Sequence, residues 1–243
     1  MGSCHDFSQA IGCLPDFCNL AVDLPGHGGT KVASDRNYQM PQVALALVEL
    51  LKQLEIDRCI LVGYSMGGRI ALYLASYFPQ YFSGVVLESA SPGLSTLVER
   101  ESRISRDTQL ARRLISSNLA DFLQDWYLNA LFDSFRQHPR YPEAIARRLN
   151  NDPYKLAKSL IQMGLGRQPD LTMKLARIKL PLLLVVGELD RKFVKIGRKM
   201  STLCPPATLC IVEHSGHNVH LEHPVEFSRL LLQFIDGLLI TEN

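Results

Sequence analysis

Five short apolar runs constrain this chain more than any other feature. They are Asn19-Leu20-Ala21-Val22, Cys59-Ile60-Leu61-Val62, Gly84-Val85-Val86-Leu87, Leu182 to Val186, and Leu209-Cys210-Ile211-Val212. A strand with one wet face alternates apolar with polar residues. A run without alternation predicts a strand buried on both faces, the mark of a parallel sheet covered by helices. Longer amphipathic stretches separate the runs, and the spacing predicts helices over Tyr38 to Leu54, Ile70 to Phe78 and Val225 to Ile240. The fold class is α/β.

A chain of 243 residues is one large domain or a domain with an insert. It is 47% hydrophobic and 21% charged, which excludes a disordered or collagen-like chain. A net charge of +2 excludes a broad electrostatic nucleic-acid binder. No stretch reaches the ~20 apolar residues of a membrane span, and the N-terminus lacks the basic and apolar regions of a secretory signal. Gly2 and Cys4 hint at acylation, but Asp6 stands where a myristoylation pattern wants Ser or Thr. The six cysteines form no C-x-x-C pair and read as reduced thiols, so the expected location is cytoplasmic.

The rhythm breaks between Gly93 and Asp170, where helical patterns run without a buried-strand signature. This segment holds twelve basic and nine acidic residues, a net +3 against −1 for the rest of the chain. An all-helical insert between two strands reads as a lid over the carboxyl ends of the sheet, where ligands of open α/β sheets bind. The expected division is a core of residues 1–92 and 171–243 with a lid of 93–170.

Gly63-Tyr64-Ser65-Met66-Gly67 fits G-x-S-x-G, with a buried strand before it and a helix after it. The glycines permit a turn tight enough to hold Ser65 in a strained conformation. There the helix N-terminus and the Met66 amide can meet developing negative charge. A nucleophilic Ser needs a base, and the base needs an orienting carboxylate. Asp190 and His217 both follow predicted strands, in the order Ser, acid, His, with Glu188 as the rival acid. His214, His217, His220 and His223 recur every third residue and invite a metal reading. Gly216 and Pro224 argue against a helix aligning them, and no cluster completes a site. No metal or cofactor is expected.

Arg69 lies one helical turn after Ser65. A cation there opposes the macrodipole, which suggests a bound anion, with a solvent-exposed arginine as the plain alternative. In the lid, Arg103 and Asp107 sit at i,i+4 spacing, and Trp126 reads as lid core. Several arginines near one nucleophile point to a substrate with several carboxylates.

Taken together, these segments resemble a known family over nearly the whole chain. The segments are Val22-Asp-Leu-Pro-Gly-His-Gly-Gly29, Gly63-Tyr-Ser-Met-Gly-Gly-Arg69, Pro92-Gly-Leu94, Arg100…Arg103…Asp107, Trp126-Tyr127, Arg148-Leu-Asn-Asn151, Gln168-Pro-Asp-Leu171, Gly187-Glu-Leu-Asp190 and Gly216-His-Asn218. They look like those of the α/β-hydrolase-fold 2-succinyl-6-hydroxy-2,4-cyclohexadiene-1-carboxylate synthases of menaquinone and phylloquinone biosynthesis. The resemblance implies a lyase that eliminates pyruvate from a tricarboxylate. In it Ser65, His217 and Asp190 abstract a ring proton, Arg69, Arg103 and Arg148 hold carboxylates, and Tyr64 and Trp126 shape the pocket. Members of that family also carry a His-Gly-Phe segment, which supplies the other half of an oxyanion hole, just upstream of the point matching Met1. The resemblance thus implies a start placed too late and three absent strands, one of them between the Leu20 and Cys59 strands. A serine carboxylesterase and an inactive binding module are the alternatives. Oligomeric state is not legible.

Overall fold

The runs at 59, 84, 182 and 209 become four parallel strands in the computed structural model, which describes residues 1–241. They are β1 (Cys59–Tyr64), β2 (Phe82–Glu88), β3 (Leu182–Gly187) and β4 (Ala207–Val212), lying side by side in chain order. Val85 pairs with Leu182 and Leu184 with Leu209, so the apolar runs stay in register across the sheet. Helices α1 (Ser8–Gly12) and α2 (Met40–Gln53) precede the sheet, and α3 (Met66–Tyr77) joins β1 to β2. Helix α10 (Arg191–Leu203) joins β3 to β4, and α11 (Val219–Glu222) and α12 (Pro224–Thr241) close the chain.

The period of two along each strand sorts the core into two layers. Val85, Leu87, Leu182 and Leu184 pack with Ala71, Leu72, Ala75 and Met200. Val86, Leu183 and Val185 face the other way, onto Phe227, Leu230 and Leu231. Burial on both faces holds for β2 and β3 but not for the outer strands. Val62 of β1 and Ile211 of β4 stay exposed, because an edge strand in a four-stranded sheet has a neighbour on one side only.

The expected strand at Asn19–Val22 does not form. Leu20 and Val22 are exposed, and the segment makes no ladder with β1. An apolar run becomes a strand only when another strand accepts its backbone groups. The chain here instead leads into a loop gathered by Asp23, whose carboxylate accepts the amides of Cys4 at 2.7 Å and Gly29 at 2.9 Å. Asn151 of the helical segment accepts the Gly28 amide at 3.0 Å and ties this loop to it.

His27 sits buried in that loop, and burial lowers its pKa from 6.5 to about 3. Below pH 6.5 the unfolded chain takes up a proton that the folded chain refuses, so this residue's contribution to stability falls as pH drops towards 3 and levels off below. Roughly 2 kcal/mol should be lost between pH 6.5 and 5. Urea unfolding at pH 7 and pH 5 is expected to show a smaller loss in His27→Gln than in the parent; equal losses would refute the assignment.

Between β2 and β3 the described residues form helices and turns and no strand: α4 (Leu97–Ser116), α5 (Leu119–Tyr127), α6 (Asp133–Gln137), α7 (Tyr141–Arg148), α8 (Pro153–Met163) and α9 (Thr172–Leu175). Their starts follow from local chemistry. Thr96 and Glu99 make a reciprocal capping box at α4, and the Asn118 and Asp152 side chains accept first-turn amides of α5 and α8. No described helix is long and apolar enough to cross a membrane.

Candidate active site

Three strand ends converge on one point. Ser65 follows β1 directly, Asp190 comes three residues after β3, and His217 lies in the loop after β4. His217 Nδ1 is 2.7 Å from Asp190 Oδ2, and His217 Nε2 is 3.2 Å from Ser65 Oγ. His217 and Asp190 are buried. Asp190 also caps α10, its Oδ1 accepting the Phe193 amide at 3.1 Å, so the helix start fixes the carboxylate that orients the imidazole. The rival Glu188 accepts the His214 amide at 3.1 Å instead.

Ser65 has φ 47° and ψ −103°, a strained conformation for a residue with a Cβ, and its amide donates to the Glu88 carbonyl at 2.8 Å. The glycines that allow this turn are not quite the motif pair. A Cβ on Gly63 would lie 2.5 Å from the Gly67 oxygen, and one on Gly68 would lie 2.6 Å from the Ala90 Cβ. A Cβ on Gly67 would meet nothing within 4 Å. Close approach to the segment after β2 therefore rests on Gly68, the residue beyond the motif.

Aromatic rings wall the imidazole. Phe193 stands 4.7 Å from the His217 ring, Tyr64 5.3 Å, and Phe132, from the helical segment, 6.0 Å. Tyr64 is half-buried, and loss of solvent around its phenol, with Glu88 next, pushes the pKa well above the usual range, so it stays neutral. Trp126 stacks with Phe122 at 6.0 Å and lies 6.4 Å from Phe132. Met66 opens α3, and its sulfur lies 4.0 Å from the Ser159 hydroxyl of α8.

The arginines are already engaged. Arg69 is buried, against the solvent-exposed alternative, and Nη1 donates to the Met163 carbonyl at 2.9 Å and to Gln168 Oε1 at 3.2 Å. Burial, with Arg103 nearby, lowers its pKa to about 10, so it remains a cation at neutral pH. Arg103 pairs with Asp107 at 2.8 Å, and the second Asp107 oxygen is buried without a partner. Arg148 is almost fully buried and forks onto Asp6 at 3.0 and 3.5 Å, while its Nε has no partner. Asp6 also takes Arg147 at 3.1 Å. Beside this pair lies a cavity of about 180 Å³ lined by Arg140, Glu143 and Arg147, which does not include Ser65.

Sequence reading missed Asp6, Glu88 and Glu222 as parts of this centre. Glu88 grips His220, whose Nδ1 is 2.9 and 2.8 Å from its two oxygens, with Phe7 stacked on the ring at 4.3 Å. His214 and His223 lie apart from both pairs, with His223 Nε2 3.4 Å from the His214 carbonyl. The four histidines thus divide among separate partners. Asp6 and Arg148 lie 142 residues apart, a separation no local pattern reports.

The pattern of the alpha/beta hydrolase fold family matches residues 2–224. A Bacillus subtilis (strain 168) protein, provisionally named a 2-succinyl-6-hydroxy-2,4-cyclohexadiene-1-carboxylate synthase, is 37% identical over 98% of this chain and 88% of its own length. The Escherichia coli O1:K1 / APEC protein with that name is 33% identical over 96% of this chain and 90% of its own. The structure of MenH from S. aureus superposes with a TM-score of 0.93 at 32% identity, covering 98% of this chain and 90% of that one. This chain belongs to the α/β-hydrolase fold family and, within it, to the family of 2-succinyl-6-hydroxy-2,4-cyclohexadiene-1-carboxylate synthases.

Proposed function

We propose that the chain eliminates pyruvate from 2-succinyl-5-enolpyruvyl-6-hydroxy-3-cyclohexene-1-carboxylate, the synthase reaction of menaquinone and phylloquinone biosynthesis. The observation that carries the reading is the hydrogen-bonded Ser65–His217–Asp190 array in a chain of this family. Arg69 lies on α3, the helix that follows Ser65, and Arg103 and Arg148 come from the helical segment. A neutral-ester hydrolase has little use for three arginines; a tricarboxylate does.

The names of substrate and product fix the bond changes. The substrate has its ring double bond at C3–C4 and its ether at C5; the product has double bonds at C2–C3 and C4–C5. The proton therefore leaves C2, next to the succinyl ketone. Its electron pair forms C2–C3, the old double bond shifts to C4–C5, and the C5–O bond breaks. His217 Nε2 takes the Ser65 proton, Ser65 Oγ takes the C2 proton, and Asp190 stabilises the imidazolium. The imidazolium returns its proton to the departing enolpyruvate, which ketonises to pyruvate. Charge gathering on the succinyl oxygen would face the Met66 amide at the N-terminus of α3.

Residues 93–170 would act as the lid, with Trp126 lining the pocket and Arg103 and Arg148 exchanging Asp107 and Asp6 for substrate carboxylates. The unpartnered Nε of Arg148 supports that exchange. The elimination has no net redox change, so the reaction calls for no redox cofactor. The six free cysteines fit action in the reducing cytoplasm. The test is an assay of the purified chain on both substrate classes. Pyruvate release from the tricarboxylate with negligible turnover of p-nitrophenyl acetate is expected. A burst on the ester without pyruvate release would favour the carboxylesterase.

A further inference from the structure

The loop that carries His217 has an unusual set of supports. Between Val212 and Val219 it belongs to no strand or helix, and three of its amides go to carboxylates. Glu188 takes His214 at 3.1 Å, and just past the loop, in α11, Glu88 takes His220 at 3.1 Å. Glu222 takes the two amides that bracket the base: Gly216 N donates to its Oε2 at 2.9 Å and Asn218 N to its Oε1 at 3.3 Å. Both oxygens of one buried side chain thus bind the residues on either side of His217. Opposite them, Ser134 crowds the α-carbon of Gly216, since a Cβ there would lie 2.0 Å from the Ser134 hydroxyl oxygen. The loop is held between Glu222 and the helical segment.

The leverage of this clamp is set by the longer of the two relay contacts. His217 Nδ1 is fixed to Asp190 at 2.7 Å, but Nε2 is 3.2 Å from Ser65 Oγ, already long for a hydrogen bond. A shift of a few tenths of an ångström in the Gly216–Asn218 backbone breaks that contact first, while the shorter Asp190 pair is perturbed but not broken. We propose that Glu222 is a positioning residue for His217, setting the Ser65–His217 distance through the two flanking amides. The inference rests on the reading of His217 as the base of the synthase reaction. A glutamine at 222 keeps the size but presents an NH₂ donor to one of two N–H donors, so one amide loses its acceptor.

The experiment compares the full chain with Glu222→Gln, and with Glu222→Asp should the first variant not fold. Pyruvate release is measured across substrate concentrations, with circular dichroism to establish folding. The far-downfield imidazole proton of the His217–Asp190 pair is followed by NMR, with Asp190→Asn as its assignment control. The expected result is a folded variant whose kcat falls about tenfold, part of the ~10²-fold that a 1 Å misplacement costs, with KM changed less than about twofold. The downfield resonance should shift or broaden. With an active parent, kcat decides: a value within about twofold of the parent, or a loss explained by the unfolded fraction, overturns the proposal. An inert parent would overturn the synthase reading instead, and an unchanged resonance in the variant would then overturn the role of Glu222.

Discussion

Ser65→Ala is expected to abolish pyruvate release, lowering kcat by ~10²–10⁴-fold, the range for loss of a positioned acid–base group. In the proposed mechanism Ser65 Oγ, 3.2 Å from His217 Nε2, links the imidazole to the substrate's C2 proton. Without it the imidazole has no intermediary at the C2 proton. The fold should persist. Ala keeps the Cβ that already sits at φ 47°, so it inherits the strain of the turn without adding to it. The Ser65 amide still donates to the Glu88 carbonyl at 2.8 Å. The measurement is pyruvate formed per enzyme, with thermal melts of both proteins. His217→Ala should cost a similar factor, and the double variant little more, because the residues act as a unit. A fully active Ser65→Ala protein would sink the mechanism.

Gly187→Ala should have the largest effect on stability. Gly187 ends β3, and a Cβ there would lie 2.0 Å from the Gly216 oxygen and 2.3 Å from the Ser215 oxygen. Both are backbone atoms of the loop that carries His217, so no flexible side chain can swing aside. Forcing a methyl group into such a site costs about 3 kcal/mol or more, a fall of roughly 6–12 °C in Tm for a chain of this size. Any relief comes from moving residues 215–217, which draws His217 away from Asp190, so activity should fall together with stability. Gly67→Ala is the contrast. With nothing within 4 Å of its Cβ, it should melt at the parent's temperature or slightly above. Equal melting of the two variants would contradict the packing described here.

Local pattern by itself determined the element types and the order of the reactive residues. Uninterrupted apolar runs mark the strands at 59, 84, 182 and 209, because a strand covered on both faces needs apolar residues at every position. The elbow, the Asp190 turn and the His217 loop each sit at the end of such a run, so their chain order and common edge of the sheet could be read beforehand. The Asn19–Val22 run shows the limit of this logic. Its composition is that of a strand, yet a ladder partner decides whether one forms, and composition carries no record of partners.

Only the tertiary structure decided which groups meet. The steric need at the elbow falls on Gly68 as well as Gly63 because Ala90, two residues past β2, packs against it. Arg69 was legible as an anomalous cation, but its burial against Met163 and Gln168 depends on contacts 94 and 99 residues away. Asp6 answering Arg148 and Glu222 bracketing His217 are likewise products of the folded backbone. Periodicity is written between neighbours and survives in one sequence. Hydrogen-bond partners across a fold are chosen by burial, where an unpaired charge or amide is costly, and that choice is made only once the layers have closed.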